Sequence, residues 1–335
     1  MSMQKAVECI RQNSDFLITT HMNPEGDAIG SQLSLFRLLK ALGKNVIAVN
    51  EDPLPYGYDF LPGVNVIRKF RKNRENFKFD VFVTVDCSDL RRPGEVHLLN
   101  TGHKPVLNID HHVSNEQFGA VNWVKPEASC CAEMIYELYG KFRVPVDRDT
   151  ALLLYVGILT DTGSFHYSNT TAFTHRVVSD LMRYDLNITK IYKDIYESVP
   201  FRDMRLLAEI LPTMNRMLGG KVLWFQVSKD TVKRHKKICF DLSEHILSFG
   251  RSVKGTEVVL LFKENPGGEK EVRVNFRSQG NIDVNKIAGF FNGGGHKTAA
   301  GATVRGTLES VAGRVLNKVR EAYRDAGERT ARKRF

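Results

Sequence analysis

The stretch DFLITTHMNPEGDAIGSQLSLFRLLKALG, residues 15–43, holds one complete building unit of this chain. A short apolar run (16–19) hands over to the polar string His21-Met22-Asn23-Pro24-Glu25-Gly26-Asp27. From residue 31 the spacing turns helical. Leu33, Leu35, Phe36, Leu38, Leu39 and Leu42 make one broad apolar face, and Gly43 stands at the stop. A strand joined to a helix in this way is the repeating unit of a mostly parallel, covered sheet. More apolar runs follow at 45–49, 80–85 and 105–109, and CCAEMIYELYGKF (130–142) reads as another helix of this kind. ALLLYVGIL (151–159) fits strand or helix by periodicity alone and is expected to form a buried helix that delivers Asp161 at its end.

Three further runs end in ligand-type residues: Asp86 follows DVFVTV, Asp110-His111-His112 follows PVLNI, and Asp161 follows ALLLYVGILT. In open α/β sheets the loops beyond the carboxyl ends of the strands point into one crevice, so these clusters should converge. Several carboxylates and imidazoles cannot share a site without a counter-charge, and divalent metal is the natural one. The ligands suffice for two ions with one carboxylate left to bridge. Two metals about 3.5–4 Å apart are a common device for in-line attack of water on phosphorus. Thiolate ligands are not expected, and the carboxylate–imidazole mix favours manganese or magnesium over zinc.

Each piece has a plainer reading. A single aspartate at a strand end is more often a cap or turn residue, and His97, His103, His175, His235 and His245 are read as ordinary surface or core histidines. The adjacent pair His111-His112 behind Asp110 is different. Neighbours in an extended segment point to opposite faces, so one imidazole is expected at the metal and the other toward substrate, with Asp110 orienting an imidazole from behind.

The second half changes texture. A helical stretch around 172–210 leads to KVLWFQVS (221–228), TEVVLLFKEN (256–265) and EVRVNFRS (271–278), which read as strands, with Asn265-Pro266-Gly267-Gly268 as a hairpin turn. The helix DVNKIAGFF and then Gly293-Gly294-Gly295-His296 follow. Three glycines let backbone amides form a concave anion nest, although a flexible helix-ending loop is an equal reading. Arg277 and Ser278 at the preceding strand end strengthen the anion reading, since a guanidinium grips phosphate bidentately. The expected architecture is α/β. An N-terminal mostly parallel-sheet domain (1–185) and a helical linker (186–214) precede a smaller C-terminal α/β domain with a mixed sheet (215–335), and the active-site cleft lies between the domains.

Composition narrows the class. The chain has 335 residues, 42% hydrophobic and 26% charged, as in soluble globular proteins. No apolar run approaches the length of a membrane span, and MSMQKAVECIRQNSDF carries charges where a signal peptide would be apolar. A cytoplasmic protein with no membrane partner is expected. Cys9, Cys87, Cys130, Cys131 and Cys239 show no C-x-x-C spacing and are read as reduced packing residues. The net charge of +10 attracts phosphate-rich substrates. Residues 314–335 carry eight Lys or Arg against three acids, which reads as a solvated helix face and tail, and Arg68-Lys69-Phe70-Arg71-Lys72 reads as plain surface.

HMNPEGDAIGS (21–31), VDCSD (85–89, with Arg92 downstream), NIDHHVSNEQFG (108–119), GILTDTGSFHYSNTT (157–171) and FNGGGHKTAAG (291–301) stand in an order that is similar to the DHH phosphoesterase superfamily. Within it the chain resembles the branch of bifunctional oligoribonucleases (nanoRNases) and pAp phosphatases with a C-terminal DHH-associated domain. The resemblance covers nearly the whole chain. It implies that His21, Glu25 and Asp86 hold one metal, and that Asp27, Asp86, His111 and Asp161 hold the other, with Asp86 bridging. Two manganese ions are implied, with magnesium or cobalt as alternatives. Asp86, Asp110 and His112 would be catalytic, His112 facing the scissile phosphate and a metal-bridging water acting as nucleophile. In the second domain the resemblance implies nucleotide contacts from Arg277, Ser278 and His296 beside the Gly293–Gly295 nest. The family usually has Asp where Glu25 stands, which changes the angle of that carboxylate but leaves it within reach. Asn292 replaces a family glycine and tolerates positive φ.

The implied activity is metal-dependent hydrolysis of short oligoribonucleotides to mononucleotides and of 3′-phosphoadenosine 5′-phosphate (pAp) to AMP. A RecJ-like single-strand exonuclease is a rival, but it needs a longer basic groove and an OB-type domain. A linear or cyclic dinucleotide phosphodiesterase is another, without the sensory and membrane segments that often accompany it. Family II pyrophosphatase fits less well because of the glycine-rich C-terminal motif. Outside enzymes, the alternative is a nucleotide-binding protein that lost catalysis through Glu25. The oligomeric state stays open, a homodimer included.

Overall fold

A computed structural model of the chain describes residues 2–72, 77–234, 242–265, 270–279, 282–295 and 297–332. It divides into two compact units, Met1–Ser198 and Val199–Phe335. The first contains α1 (Met3–Gln12), β1 (Asp15–Thr19), α2 (Gly26–Ala41), β2 (Asn45–Asn50), β3 (Ile67–Lys69), β4 (Val81–Val85), β5 (Val106–Asp110), β6 (Val121–Val124), α3 (Cys131–Phe142), α4 (Arg148–Asp161), α5 (Ala172–Leu181) and α6 (Ile188–Tyr196). Its six strands lie in the order β3-β2-β1-β4-β5-β6 and every pairing is parallel.

Side-chain alternation explains why these strands are apolar throughout. On β1, Phe16 and Ile18 enter the large core under the helices, whereas Leu17 enters a smaller core with Val49, Phe79, Phe82 and Val96 on the other face. ALLLYVGIL is helical and lies within α4. Asp147 caps that helix by accepting the amide of Thr150 at 2.9 Å, and a reciprocal Thr171–Thr174 capping box starts α5. The run read as plain surface at 68–72 contributes Arg68 and Lys69 to the edge strand β3.

The second unit contains α7 (Phe201–Ile210), β7 (Asn215–Met217), β8 (Val222–Val227), α8 (Lys229–Arg234), α9 (Leu242–Arg251), β9 (Val258–Glu264), β10 (Glu271–Ser278), α10 (Val284–Phe290), β11 (Gly294–Gly295), β12 (Ala299–Arg305) and α11 (Leu308–Arg332). The sheet order is β11-β12-β10-β9-β8-β7, with β8–β9 parallel and the other pairs antiparallel. Val258, Leu260 and Phe262 of β9 face a core shared with α10 and α11. Val259 and Leu261 face one shared with α7 and α9, so this sheet too is covered on both sides. The segment read as a helical linker over 186–214 contributes to both units: Ile191 of α6 lies in the first unit's core, and Leu206, Leu207 and Ile210 of α7 lie in the second's. The hairpin residues Pro266-Gly267-Gly268, together with Cys239 and His296, lie outside the described residues. Among the described residues no helix is long and apolar enough to cross a membrane.

Candidate metal centre

β1 and β4 are neighbours at the middle of the first sheet, yet the chain leaves β1 toward β2 on one side and β4 toward β5 on the other. That reversal of strand order opens a crevice at the carboxyl ends, the place where such sheets bind ligands. His21 stands two residues beyond β1 and Asp86 one residue beyond β4. Asp86 is buried and adopts φ +60°, a left-handed conformation that aspartate tolerates better than most residues but that still stores strain. Its amide donates to the Ile109 carbonyl at 3.0 Å. Three imidazoles surround its carboxylate: His21 Nε2 at 3.4 Å, His111 Nε2 at 3.6 Å and His112 Nδ1 at 3.5 Å.

The histidine pair behaves differently from the expectation of opposite faces. β5 ends at Asp110, so His111 and His112 lie beyond the extended backbone, and their rings meet edge to face at 4.9 Å with both imidazoles near Asp86. Asp110 is fully buried and accepts the Nδ1–H of His112 at 2.7 Å, while Asn115 Nδ2 donates to its other oxygen at 2.6 Å. His21 is held similarly: its Nδ1–H donates to the Met22 carbonyl at 2.8 Å, which leaves Nε2 directed to Asp86.

Asp27, in the first turn of α2, is buried against the start of α3. It accepts the amides of Cys131 (2.7 Å) and Ala132 (2.8 Å) and the hydroxyl of Ser31 (2.9 Å). The positive end of a helix thus helps to hold a carboxylate deep in the protein. A Cβ on Gly157 would meet Asp27 Oδ1 at 2.9 Å and Ala132 Cβ at 2.6 Å, so glycine is what lets α4 approach here. At the end of α4, Asp161 Oδ2 lies 3.6 Å from His111 Nε2. Asn169 Nδ2 donates to the Asp161 backbone carbonyl at 3.1 Å and to the Ser129 carbonyl at 2.8 Å.

Three groups of ligand atoms, each spanning no more than 4.8 Å, emerge: Asp86–His111–His112, Asp27–His111–Asp161 and Asp27–Asp86–Cys131. The last adds to the sequence reading. Cys131 is buried as expected, but its thiol lies 3.8 Å from Asp86 Oδ1 and belongs to the cluster rather than to apolar packing alone. Glu25 stands apart from these groups, exposed at the N-cap of α2, and its charge is felt at Asp161.

The electrostatics is that of a site built for cations. Burial and the charges of Asp27, Asp86 and Glu25 push Asp161 well above the usual carboxylate range, despite His111. Burial and Asp86 push Asp27 up to about 6. Burial disfavours charge on His111, yet Asp161 and Asp86 outweigh it and raise its pKa to about 9. Burial also works against Asp86 itself, but its bond to His21 and the surrounding imidazoles hold it below the ordinary carboxylate range. Protons therefore act as the counter-charge that divalent ions would otherwise supply, and the oxygen and imidazole donors fit such ions.

In the second unit Arg277 is already engaged. Its Nε and Nη2 donate to Glu244 Oε2 at 3.1 and 2.6 Å, and Glu244 Oε1 accepts from Arg251 at 3.0 Å. Ser278 is buried, and its amide donates to the Thr298 carbonyl at 2.8 Å. Gly294 and Gly295 pair with β12, and a Cβ on Gly293 or Gly295 would strike the carbonyl of Gly301 or Ala299, so close packing on that strand calls for glycine there. Asn292 takes φ +56°. Sequence reasoning missed Cys131, Asn115, Asn169, Glu244 and Arg251. Cys131 and Glu244 act on partners distant in sequence, and Asn115, Asn169 and Arg251 reach partners five to eight residues away through loop or helix-end geometry that no spacing signals.

Comparison with known proteins identifies the family. Residues 15–158 match the DHH family N-terminal domain and residues 224–325 match the DHHA1 domain. The chain is 33% identical over 311 residues to the bifunctional oligoribonuclease and PAP phosphatase NrnA of Thermus thermophilus, covering 92% of this chain and 90% of the relative. It is 29% identical to the Bacillus subtilis protein of that name, covering 86% and 88%. The crystal structure of an exopolyphosphatase-related protein from Bacteroides fragilis shares the fold, with a TM-score of 0.85 at 24% identity over 96% of this chain and 95% of that one. With a DHH domain that carries the clustered ligands, a DHHA1 domain behind it and relatives matched over nearly their full length, the chain belongs to the DHH family of metal-dependent phosphoesterases, alongside the NrnA proteins.

Proposed function

We propose that this phosphoric ester hydrolase degrades very short oligoribonucleotides to mononucleotides and removes the 3′-phosphate of pAp to leave AMP, with two manganese ions. The observation that carries the proposal is Asp86, a buried carboxylate within 3.6 Å of His21, His111 and His112 and grouped with Asp27. Names borne by the relatives supply the substrates.

His21, Glu25 and Asp86 would hold one ion and Asp27, Asp86, His111 and Asp161 the other, with Asp86 shared. When bound, the ions supply Lewis acidity and neutralise charge on the phosphoryl oxygens. Asp110 fixes His112 through Nδ1, so His112 Nε2 would face the scissile phosphate and exchange a proton with the leaving oxygen. His21 would offer Nε2 to a metal, since its Nδ1 is tied to a backbone carbonyl. Arg277, Ser278, Gly293–Gly295 and His296 would hold the nucleotide, with Glu244 keeping the Arg277 guanidinium ordered until phosphate competes for it. A cytoplasmic location belongs to the same proposal.

The test is a panel of pAp, pApA, pGpG and a twenty-nucleotide RNA, incubated with manganese and resolved by chromatography. Release of AMP and mononucleotides from the short substrates, with the long RNA largely intact, is the expected outcome. Preferential digestion of the long RNA would favour a RecJ-like exonuclease. Nucleotide binding without any hydrolysis would favour a protein that has lost catalysis.

A further inference from the structure

The loop that follows Asp161 is wound in an unusual way. Gly163, Ser164 and Phe165 take φ values of +56°, +59° and +68° in succession, and two of the three are not glycine. Consecutive non-glycine residues in the left-handed region are costly and persist only where the surroundings hold them. Here the restraints are visible. The Ser164 amide donates to the Leu159 carbonyl at 2.7 Å, and the Phe165 amide donates to Thr162 Oγ1 at 3.1 Å. The Phe165 ring packs on Tyr155 and His175, with centroids 6.5 and 5.5 Å away. Asn169 then ties the far end of the loop to Asp161 and Ser129.

This bracing leaves His166, Tyr167 and Ser168 on the outside. The Tyr167 ring lies directly over Gly163, two residues from Asp161; a Cβ there would sit 2.5 Å from the ring. Tyr167 remains 37% exposed, and the His166 ring lies 5.9 Å from it. The Tyr167 ring therefore lies against the turn that carries Asp161. An exposed tyrosine alone means little. An aromatic face pre-set by a strained loop, at the edge of a phosphate-ester site, has a specific use: flat bases stack on such faces whatever their identity.

We infer that Tyr167, flanked by His166, is a stacking platform for the nucleobase of the substrate whose phosphate lies at the metal centre. The inference rests on the proposed nucleotide-ester activity. It assigns base recognition to the first unit, separate from the phosphate contacts proposed for Arg277. Stacking tolerates any base, so the platform favours nucleotides over simple sugar phosphates without selecting a sequence.

The experiment compares the wild-type protein with Tyr167→Ala, Tyr167→Phe and Tyr167→Trp under manganese. Two substrates are used, pAp and its abasic 3′,5′-bisphosphate counterpart. The quenching of a 2-aminopurine analogue is read on mixing, before turnover. Tyr167→Ala should raise KM for pAp about tenfold, a typical loss for one stacked base. It should leave both constants for the abasic compound unchanged and lose most of the quench, while Phe and Trp retain wild-type behaviour. Equal losses on both substrates would show that the ring merely braces the Asp161 loop, and unchanged constants with full quenching would also overturn the platform. If the wild-type protein hydrolyses neither substrate but Tyr167→Ala still abolishes the quench, the platform stands and the hydrolase reading falls.

Discussion

The charged groups of the two units are balanced in opposite ways. Around Asp86, buried carboxylates outnumber what neighbouring groups can neutralise, and raised pKa values at His111, Asp27 and Asp161 record protons taking the place of a cation. Around Arg277 one carboxylate serves two cations: Glu244 accepts two bonds from Arg277, and Arg251 takes its other oxygen, so these three groups keep one positive charge. The first arrangement is completed only by something positive. The second keeps positive charge to offer an anion, although a phosphate that takes Arg277 must compete with Glu244 for it. A centre of the first kind suits chemistry, and a patch of the second kind suits exchangeable binding.

The sharpest way to break this contrast is to withhold the cation. Exhaustive chelation should abolish hydrolysis and manganese should restore it, followed by product release with metal content checked by elemental analysis. Full activity in metal-free protein would remove the basis of the first arrangement.

Asp86→Asn comes next. It keeps a residue that accepts φ +60° but removes the charge that three imidazoles share. A loss in kcat on the order of a thousandfold is expected, with thermal unfolding nearly unchanged because the residue lies just beyond the carboxyl end of β4, outside the apolar core. Retention of more than roughly a tenth of turnover would mean that Asp86 is structural, since loss of a main electrostatic stabiliser costs far more than that.

Arg277→Ala should raise KM for pAp and dinucleotides roughly ten- to a hundredfold, the scale of one charge-assisted pair. Metal content should not change, and an activated aryl phosphodiester lacking a second nucleotide should be hydrolysed nearly as before. An equally severe loss on that simple ester would place Arg277 in the chemical step and erase the distinction between the two regions.

The contrast also predicts proton linkage in metal binding. In metal-free protein His111 is protonated below about 9, so a cation taking its Nε2 must displace that proton. Apparent metal affinity should therefore rise with pH, by up to about tenfold per unit for this one proton, and level off near pH 9. Calorimetry in buffers of different ionisation enthalpy would read the released proton. Affinity that is flat between pH 6 and 9 would show that His111 is not a ligand.

Much of the fold was legible because burial on both faces leaves a direct imprint on sequence. DVFVTV, PVLNI and TEVVLLFKEN are each dominated by apolar residues rather than alternating with polar ones, and each contains a strand covered on both sides. β3 escaped notice because it is three residues long with two of them exposed, and β12 because AAGATVR is built from small residues that carry little strand signal. The candidate ligands were legible for a related reason: carboxylates and imidazoles directly after apolar runs are costly there unless they serve a purpose.

The sequence by itself determined the alternation of strands and helices, the DHH and DHHA1 motifs and the identity of the polar residues at the strand ends. Only the tertiary structure decided which of them meet. It brought His111 and His112 to the same carboxylate, left Glu25 on the rim, added the Cys131 thiol and paired Arg277 with Glu244. The reason is physical: strand and helix periodicity follow from local burial, whereas these partnerships depend on strand order and backbone direction at single residues. Asp86 and Asp27 lie 59 positions apart and share a ligand group because β1 and β4 are adjacent at the reversal of strand order and α3 begins against Asp27.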